Sequence, residues 1–164
     1  MENFFEIVSM NCIELSTLQS TENLGAALGR VAEPGDIITI AGTLGAGKTA
    51  LTQAIGRGLG IDPSIYITSP TFALLHEYQA RIPFYHFDFY RLGSEEEIDS
   101  LGFPEYFYGH GLTVIEWPER LGSLMPEERL HIELVISGDD SRNAHLYAHG
   151  EIWQKKVADI LSMV

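Results

Sequence analysis

Gly42-Thr43-Leu44-Gly45-Ala46-Gly47-Lys48-Thr49 follows directly on the β-branched apolar run Ile37-Ile38-Thr39-Ile40-Ala41. The eight residues fill every fixed position of the pattern G-x-x-x-x-G-K-[ST], which cradles phosphates when a strand precedes it and a helix follows. Both flanks meet that condition. The preceding run has the pattern of a strand buried on both faces. From Lys48 onward, Leu51, Ile55 and Leu59 recur on one helical face, and Gly60 with Asp62-Pro63 supplies the stop. Background residue frequencies give a chance match less than about once in a hundred chains of this length.

Each residue type in the loop has a physical task. Glycine lets the backbone turn its N–H groups inward around an anion, where a Cβ would block the approach. The helix that follows points its positive end at the same anion. Lys48 is placed to bridge the β and γ phosphates of ATP or GTP, and the Thr49 hydroxyl to ligate Mg²⁺. The whole stretch, Gly42, Thr43, Leu44, Gly45, Ala46, Gly47, Lys48 and Thr49, is therefore the candidate nucleotide cradle. The alternative is a glycine-rich turn before a helix.

Outward from the loop, the first 20 residues read as a strand-rich lead-in. Thr21 is placed to cap a helix carrying Leu24, Leu28 and Val31, which Pro34-Gly35-Asp36 ends. Downstream come two candidate strands, 73–79 and 83–89, joined by a short turn. Ser94 with Glu97 three residues on reads as a capping box. Residues 112–117 form another apolar strand candidate, followed by strands near 130–136 and 144–148 and a helix over 152–161. Strands alternating with helices predict an α/β fold: a mostly parallel nucleotide-binding sheet with antiparallel additions and helices on both faces, the ligand lying at the carboxyl ends of the strands.

The 164 residues fit one domain, 1–164, and a composition of 45% hydrophobic and 20% charged residues is that of a globular chain. Ten Lys and Arg against 23 Asp and Glu leave a formal charge of −13, a field that repels a phosphodiester backbone. Any role on nucleic acid then runs through a partner that supplies the positive surface. Cys12 is the only cysteine, so neither an internal disulfide nor a multi-cysteine zinc site can form. An acidic start and the lack of a long apolar run predict a cytoplasmic protein that does not enter a membrane.

A phosphate loop needs an acid at the end of a neighbouring buried strand, to hold Mg²⁺ or its waters. Glu116 ends the run Leu112-Thr113-Val114-Ile115 and is the first candidate; a surface acid opening a loop is the alternative. Asp88 is the second. In Phe84 to Arg91 a period of two puts His86, Asp88 and Tyr90 on one face and Phe87 and Phe89 on the other, which marks either a site edge or a solvated sheet face. His86 and Asp88 alone make a poor metal site. Ser69 and Thr71 sit where a mobile segment sensing the γ-phosphate is common, although Ser-Pro-Thr is also turn chemistry. Glu95 to Glu97 read as a solvated helix cap and Trp117 as packing on the side opposite Glu116.

No Asn-Lys-x-Asp guanine-reading motif is present, and arginines that might form a kinase lid are sparse, so a GTPase loses ground and a small-molecule kinase remains an alternative. Taken in order, Thr21-Glu22-Asn23-Leu24-Gly25, Leu44 to Thr49, Ser69-Pro70-Thr71-Phe72, His86 to Leu92 and Ile115-Glu116-Trp117-Pro118 resemble the bacterial TsaE (YjeE) ATPases of tRNA threonylcarbamoyladenosine biosynthesis. The resemblance implies an enzyme, an ATPase with ATP and Mg²⁺ as cofactors and with TsaD and TsaB as partners that modify the adenosine next to the anticodon; the lack of an obvious arginine finger near the motifs predicts slow hydrolysis in isolation, and the acidic charge predicts that tRNA is met only through that complex. The resemblance further implies that Lys48, Asp88 and Glu116 carry the chemistry, that Thr49, Asp88 and Glu116 surround the ion, and that Ser69 to Thr71 act as a switch. It also places nucleotide contacts near Thr21 and Arg142. Two departures stand out: the family usually has Asp or Asn where this chain has Thr43, and a second Thr where it has Ala50. A nucleotide-dependent scaffold that needs no hydrolysis is a further alternative.

Overall fold

Residues 8–164 are described by a computed structural model. They run β1 (Val8–Leu15), α1 (Leu18–Val31), β2 (Ile37–Ala41), α2 (Lys48–Leu59), β3 (Leu75–Tyr78), β4 (Phe84–Asp88), α3 (Glu95–Ser100), α4 (Pro104–Phe107), β5 (Leu112–Glu116), a 3-10 segment (Pro118–Leu124), β6 (Arg129–Ile136), β7 (Arg142–His149) and α5 (Glu151–Met163). The beginning of the expected lead-in and of the acidic N-terminus, residues 1–7, lies outside the described residues.

The strands form one seven-stranded sheet in the order β1-β7-β6-β2-β5-β4-β3. Its centre, β6-β2-β5-β4, is parallel throughout, while β7, β1 and β3 add antiparallel at the two sides. Continuous apolar character explains why β2 sits inside: Ile37 to Ile40 are buried on both faces, where a strand of alternating polarity would leave charges unsolvated. Ile38 and Ile40 face a layer made by α1, α2 and α5, packed with Leu24, Leu28, Leu51, Ile55, Val157 and Ile160. Ile37 faces the opposite layer with Phe87, Phe89, Ile98, Ile115 and Leu121, covered by α3, α4 and the 3-10 segment. Helices thus cover both faces, as the sequence pattern requires. Each fully buried Ile or Phe contributes on the order of 2 kcal/mol in removing its side chain from water.

Three details depart from the sequence reading. First, α1 starts a turn earlier than Thr21, because Thr17 is extended (φ −143°) and its Oγ1 accepts from the Ser20 amide while Ser20 Oγ accepts from the Thr17 amide. That reciprocal pair is a capping box built on serine instead of Glu or Gln. Thr21 is left inside the helix and buried. Second, Glu95 is more than a solvated cap: its Oε2 accepts from the Ser123 amide and hydroxyl, tying α3 to the 3-10 segment. Third, the candidate strands 73–79 and 83–89 do form a hairpin, but with shorter strands than expected.

Helices α1 and α2 meet through glycine. A Cβ on Gly29 would stand 2.4 Å from the Ile55 carbonyl oxygen and 2.5 Å from the Leu59 nitrogen, so the close approach of the two backbones requires hydrogen at that position. Helix α2 carries the candidate phosphate site at its N-terminus, and this contact sets its position. Gly29→Ala gains about 1 kcal/mol in helix propensity yet must push the helices apart, an overpacking cost of about 1–3 kcal/mol or more. Urea unfolding should show a net loss; a variant more stable than the parent would show that the interface yields freely.

Candidate phosphate and cation site

Parallel pairing brings three strand ends together. β2 delivers Gly42, β5 delivers Glu116 and β4 delivers Asp88, with Asp88 directly opposite Glu116 in the register of β4 and β5. The loop between β2 and α2 takes left-handed backbone angles at Gly42 (φ 155°), Gly45 (φ 80°) and Gly47 (φ 101°). At Gly42 a Cβ would also come within 2.8 Å of the Leu134 carbonyl oxygen, whereas at Gly45 and Gly47 it would meet nothing within 4 Å. The latter two glycines answer to backbone angle alone and leave open space before the N-terminus of α2.

Lys48 is buried and folded onto its own loop. Its Nζ donates to the carbonyls of Gly42 (2.7 Å) and Thr43 (2.9 Å) and lies 4.4 Å from the centre of the Trp117 ring. Burial holds its pKa below lysine's ordinary 10.5, opposed by the carboxylates of Glu116, Glu119 and Asp88. Carbonyl oxygens and an aromatic face thus occupy the ammonium that an incoming anion would claim. Trp117 reaches this place because β5 ends at Glu116 and the next residue turns to φ 57°, a left-handed angle uncommon outside glycine. The expectation that Trp117 packs on the opposite side assumed a continuing strand; the turn brings its ring to Lys48 and against Tyr90.

Both carboxylates are buried and accept hydrogen bonds, Asp88 on its two oxygens and Glu116 on Oε1. Asp88 Oδ2 accepts from Ser69 Oγ (2.8 Å) and Thr71 Oγ1 (3.1 Å), and its Oδ1 accepts from the Tyr90 amide (2.9 Å). The Ser-Pro-Thr segment is therefore docked on the strand end that carries Asp88. Glu116 Oε1 meets His86 Nε2 at 2.9 Å and takes longer bonds from Thr52 Oγ1 (3.3 Å) and Thr49 Oγ1 (3.5 Å). His86 and Asp88 are both buried, so the solvated sheet face weighed for them is ruled out. Lys48, Thr49, Ser69, Thr71, Asp88, Glu116 and Trp117 line one cavity of about 450 Å³.

A second cavity, of about 560 Å³, adjoins the other flank of the loop and is lined by Thr17, Thr21, Ala46, Gly47, Ala50 and Arg142 among others. Thr21 and Arg142, far apart in sequence, thus meet at one place beside the phosphate loop. Arg142 also braces the loop from outside, donating from Nε to the Ala46 carbonyl and from Nη2 to the Gly45 carbonyl, both 3.1 Å. Leu44, at the tip, is exposed.

Residues 15–144 match the family described as Threonylcarbamoyl adenosine biosynthesis protein TsaE. The chain is 42% identical over 133 residues to the Treponema pallidum protein named tRNA threonylcarbamoyladenosine biosynthesis protein TsaE, covering 81% of this chain and 96% of that protein. A Bacillus subtilis protein of the same name is 38% identical over 137 residues, with 83% and 84% of the two chains covered. The chain belongs to the TsaE family. In three dimensions it is similar to the crystal structure of Bacillus subtilis YdiB, with a TM-score of 0.82, 30% identity, and 95% and 97% of the two chains covered.

For a TsaE chain, the donor set of the first cavity is informative. Among the described residues no group of three or more His, Cys, Asp or Glu converges as a metal cage. Two carboxylates, with hydroxyls from Thr49, Ser69 and Thr71, form instead the hard, oxygen-only, incomplete set that suits Mg²⁺, which keeps waters and shares phosphate oxygens. Such a set fits Mg²⁺ held together with a nucleotide and fits zinc poorly. At the two departures from the TsaE pattern, Thr43 offers its backbone carbonyl to Lys48, and Ala50 lines both cavities without adding a hydroxyl. The sequence reading missed Trp117 and the partnering of His86 with Glu116; a residue that leaves a strand in a left-handed turn gives no periodic signal.

Burying the Lys48 charge serves no apolar core, so the fold should not depend on it. Lys48→Met, similar in length and without a charge to desolvate but leaving Glu116 and Asp88 without a nearby cation, should lower stability by less than about 2 kcal/mol in urea unfolding. A loss above about 2 kcal/mol would show that the bonds to the loop carbonyls hold the fold together.

Proposed function

We propose that this chain binds ATP with Mg²⁺ and hydrolyses it, in support of the threonylcarbamoyladenosine modification of tRNA carried out with the partners TsaD and TsaB. The observation that carries this reading is the convergence of a glycine loop, Lys48, Thr49, Asp88 and Glu116 on one cavity at the carboxyl ends of parallel strands. The names of the relatives direct it to tRNA modification, and the charge of −13 favours reaching tRNA through partner proteins.

In this reading the loop amides wrap the β-phosphate, and Lys48 leaves the carbonyls of Gly42 and Thr43 for the β and γ phosphates. Thr49, Asp88 and Glu116 would hold the metal, directly or through water. Mg²⁺, when bound, neutralises the charge that builds on the phosphate oxygens. Glu116 and Asp88 orient the attacking water, and the low-dielectric setting of both buried carboxylates strengthens that hold. Thr21 and Arg142 flank the space for the nucleoside. Because Ser69 and Thr71 bond the same Asp88 oxygen, ligation of that carboxylate competes with docking of their segment, which gives the partners a surface that changes with nucleotide state. Among the described residues no arginine lines the phosphate cavity, which accords with slow turnover until a partner acts.

Two substitutions separate binding from chemistry. Lys48→Ala removes a charge-assisted bond to phosphate and should weaken ATP binding by about 10-fold to 100-fold. At saturating Mg²⁺, Glu116→Gln should keep ATP affinity within about 3-fold while hydrolysis falls by 100-fold or more, the scale expected when a group that stabilises developing charge is removed. Isothermal titration and phosphate release, with TsaD and TsaB added, provide both readouts. Hydrolysis undiminished in Glu116→Gln would remove Glu116 from the chemistry. Repeated rounds of tRNA modification with a non-hydrolysable analogue would replace the ATPase reading with a scaffold, and phosphate transfer to a small acceptor would replace it with a kinase.

A further inference from the structure

His86 is completely buried, and nothing in the proposed hydrolysis uses it. Its Nε2 lies 2.9 Å from Glu116 Oε1, the shortest of the three contacts to that oxygen, while its Nδ1 is buried with no hydrogen-bond partner. These two facts choose the tautomer. With the proton on Nδ1, an orphaned donor would sit in the core and the Nε2 lone pair would face a carboxylate lone pair, two penalties at once. With the proton on Nε2, the ring donates to Glu116 and only an acceptor is left unmatched.

From this geometry we infer that His86 is a positioning residue for the cation site: it donates Nε2–H to Glu116 Oε1, occupies that oxygen and leaves Oε2 as the atom that meets the ion or its water. The inference rests on the reading of the site as a Mg²⁺–nucleotide site. Glu116 needs such a partner because its remaining bonds are long and come from Thr52, which also donates to the Lys48 carbonyl at 2.9 Å, and from Thr49, whose hydroxyl the ion would claim. Only the histidine is free of a competing task. Its ring is fixed by its place in β4, between β3 and β5, opposite His76 and Val114, with Phe84 beside it. A histidine two residues before Asp88 thus serves the other carboxylate, across the strand pair, which explains why it makes no sense as a metal ligand with its neighbour in sequence.

Partners that orient a metal-binding carboxylate typically contribute 10-fold to 100-fold in metal affinity. The test is the Mg²⁺ dependence of ATP-analogue binding, measured by titration in Mg²⁺ and in EDTA, on four full-length chains: wild type, His86→Ala, Glu116→Gln and the double variant. His86→Ala should raise the Mg²⁺ concentration for half-maximal enhancement by about 10-fold while leaving binding in EDTA unchanged. In the Glu116→Gln background the same substitution should change the Mg²⁺ requirement by less than about 2-fold, because the carboxylate that His86 positions is gone. His86→Gln, which can still present an N–H, should recover most of the loss. Equal losses in both backgrounds, no loss in either, or failure of both His86→Ala and His86→Gln to fold would overturn the inference and leave His86 a core residue. A wild type whose binding ignores Mg²⁺ would overturn the reading of the site itself, and this inference with it; that failure shows in the wild-type arm alone.

Discussion

The parallel pairing of β2, β5 and β4 is the constraint on which the rest of the structure depends. Strands that run the same way end on the same edge, so residues 42, 116 and 88, separated by dozens of positions in the chain, arrive side by side. Their burial follows from the same arrangement. A central parallel strand is covered on both faces, and a charged residue appears only where it emerges. Each carboxylate then demands hydrogen bonds from its neighbours, and the structure supplies them: Ser69, Thr71 and an amide to Asp88, His86 and two threonines to Glu116.

This partnering turns Lys48 and Asp88 onto groups of the site itself. Lys48 lies on the loop's own carbonyls, and Asp88 on the hydroxyls of the segment after Thr68. An anion with its cation would therefore have to exchange bonds and not merely fill space, and the exchange would loosen the docked Ser69 to Thr71 segment and the Lys48–Trp117 contact. A ligand shifts a conformation only by the difference in its bonding to the two states, and here the bonds that differ can be named.

The sequence made the architecture and the phosphate loop legible because both rest on local signals. The run 37–41 lacks polar alternation, the glycines fall at fixed spacing, and Leu51, Ile55 and Leu59 keep a helical period. Glu116 and Asp88 were legible as acids at strand ends. What stayed hidden was geometry that depends on turns and long-range pairing. The left-handed turn at Trp117 has no composition signal, since that angle is normally glycine's. The cap of α1 lay at Thr17 because a serine, not a glutamate, completes its box. His86 was visible as a residue but not as a partner, since its target lies 30 positions away on a neighbouring strand. Arg142 and Thr21 were expected near one ligand only through family resemblance, and the sheet does bring them to one cavity.

The central claim is that Gly42 to Thr49, Asp88 and Glu116 make one site for a nucleotide and its cation. A crystal structure with Mg²⁺ and a non-hydrolysable ATP analogue tests it most directly. The account predicts the β-phosphate within the loop, Lys48 Nζ moved from the carbonyls of Gly42 and Thr43 to phosphate oxygens, and Thr49 Oγ1 about 2.1 Å from the ion, the usual Mg²⁺–oxygen distance. An analogue seated elsewhere, or a loop that holds the phosphates while Lys48 remains on its own carbonyls and the ion stays away from both carboxylates, would contradict it.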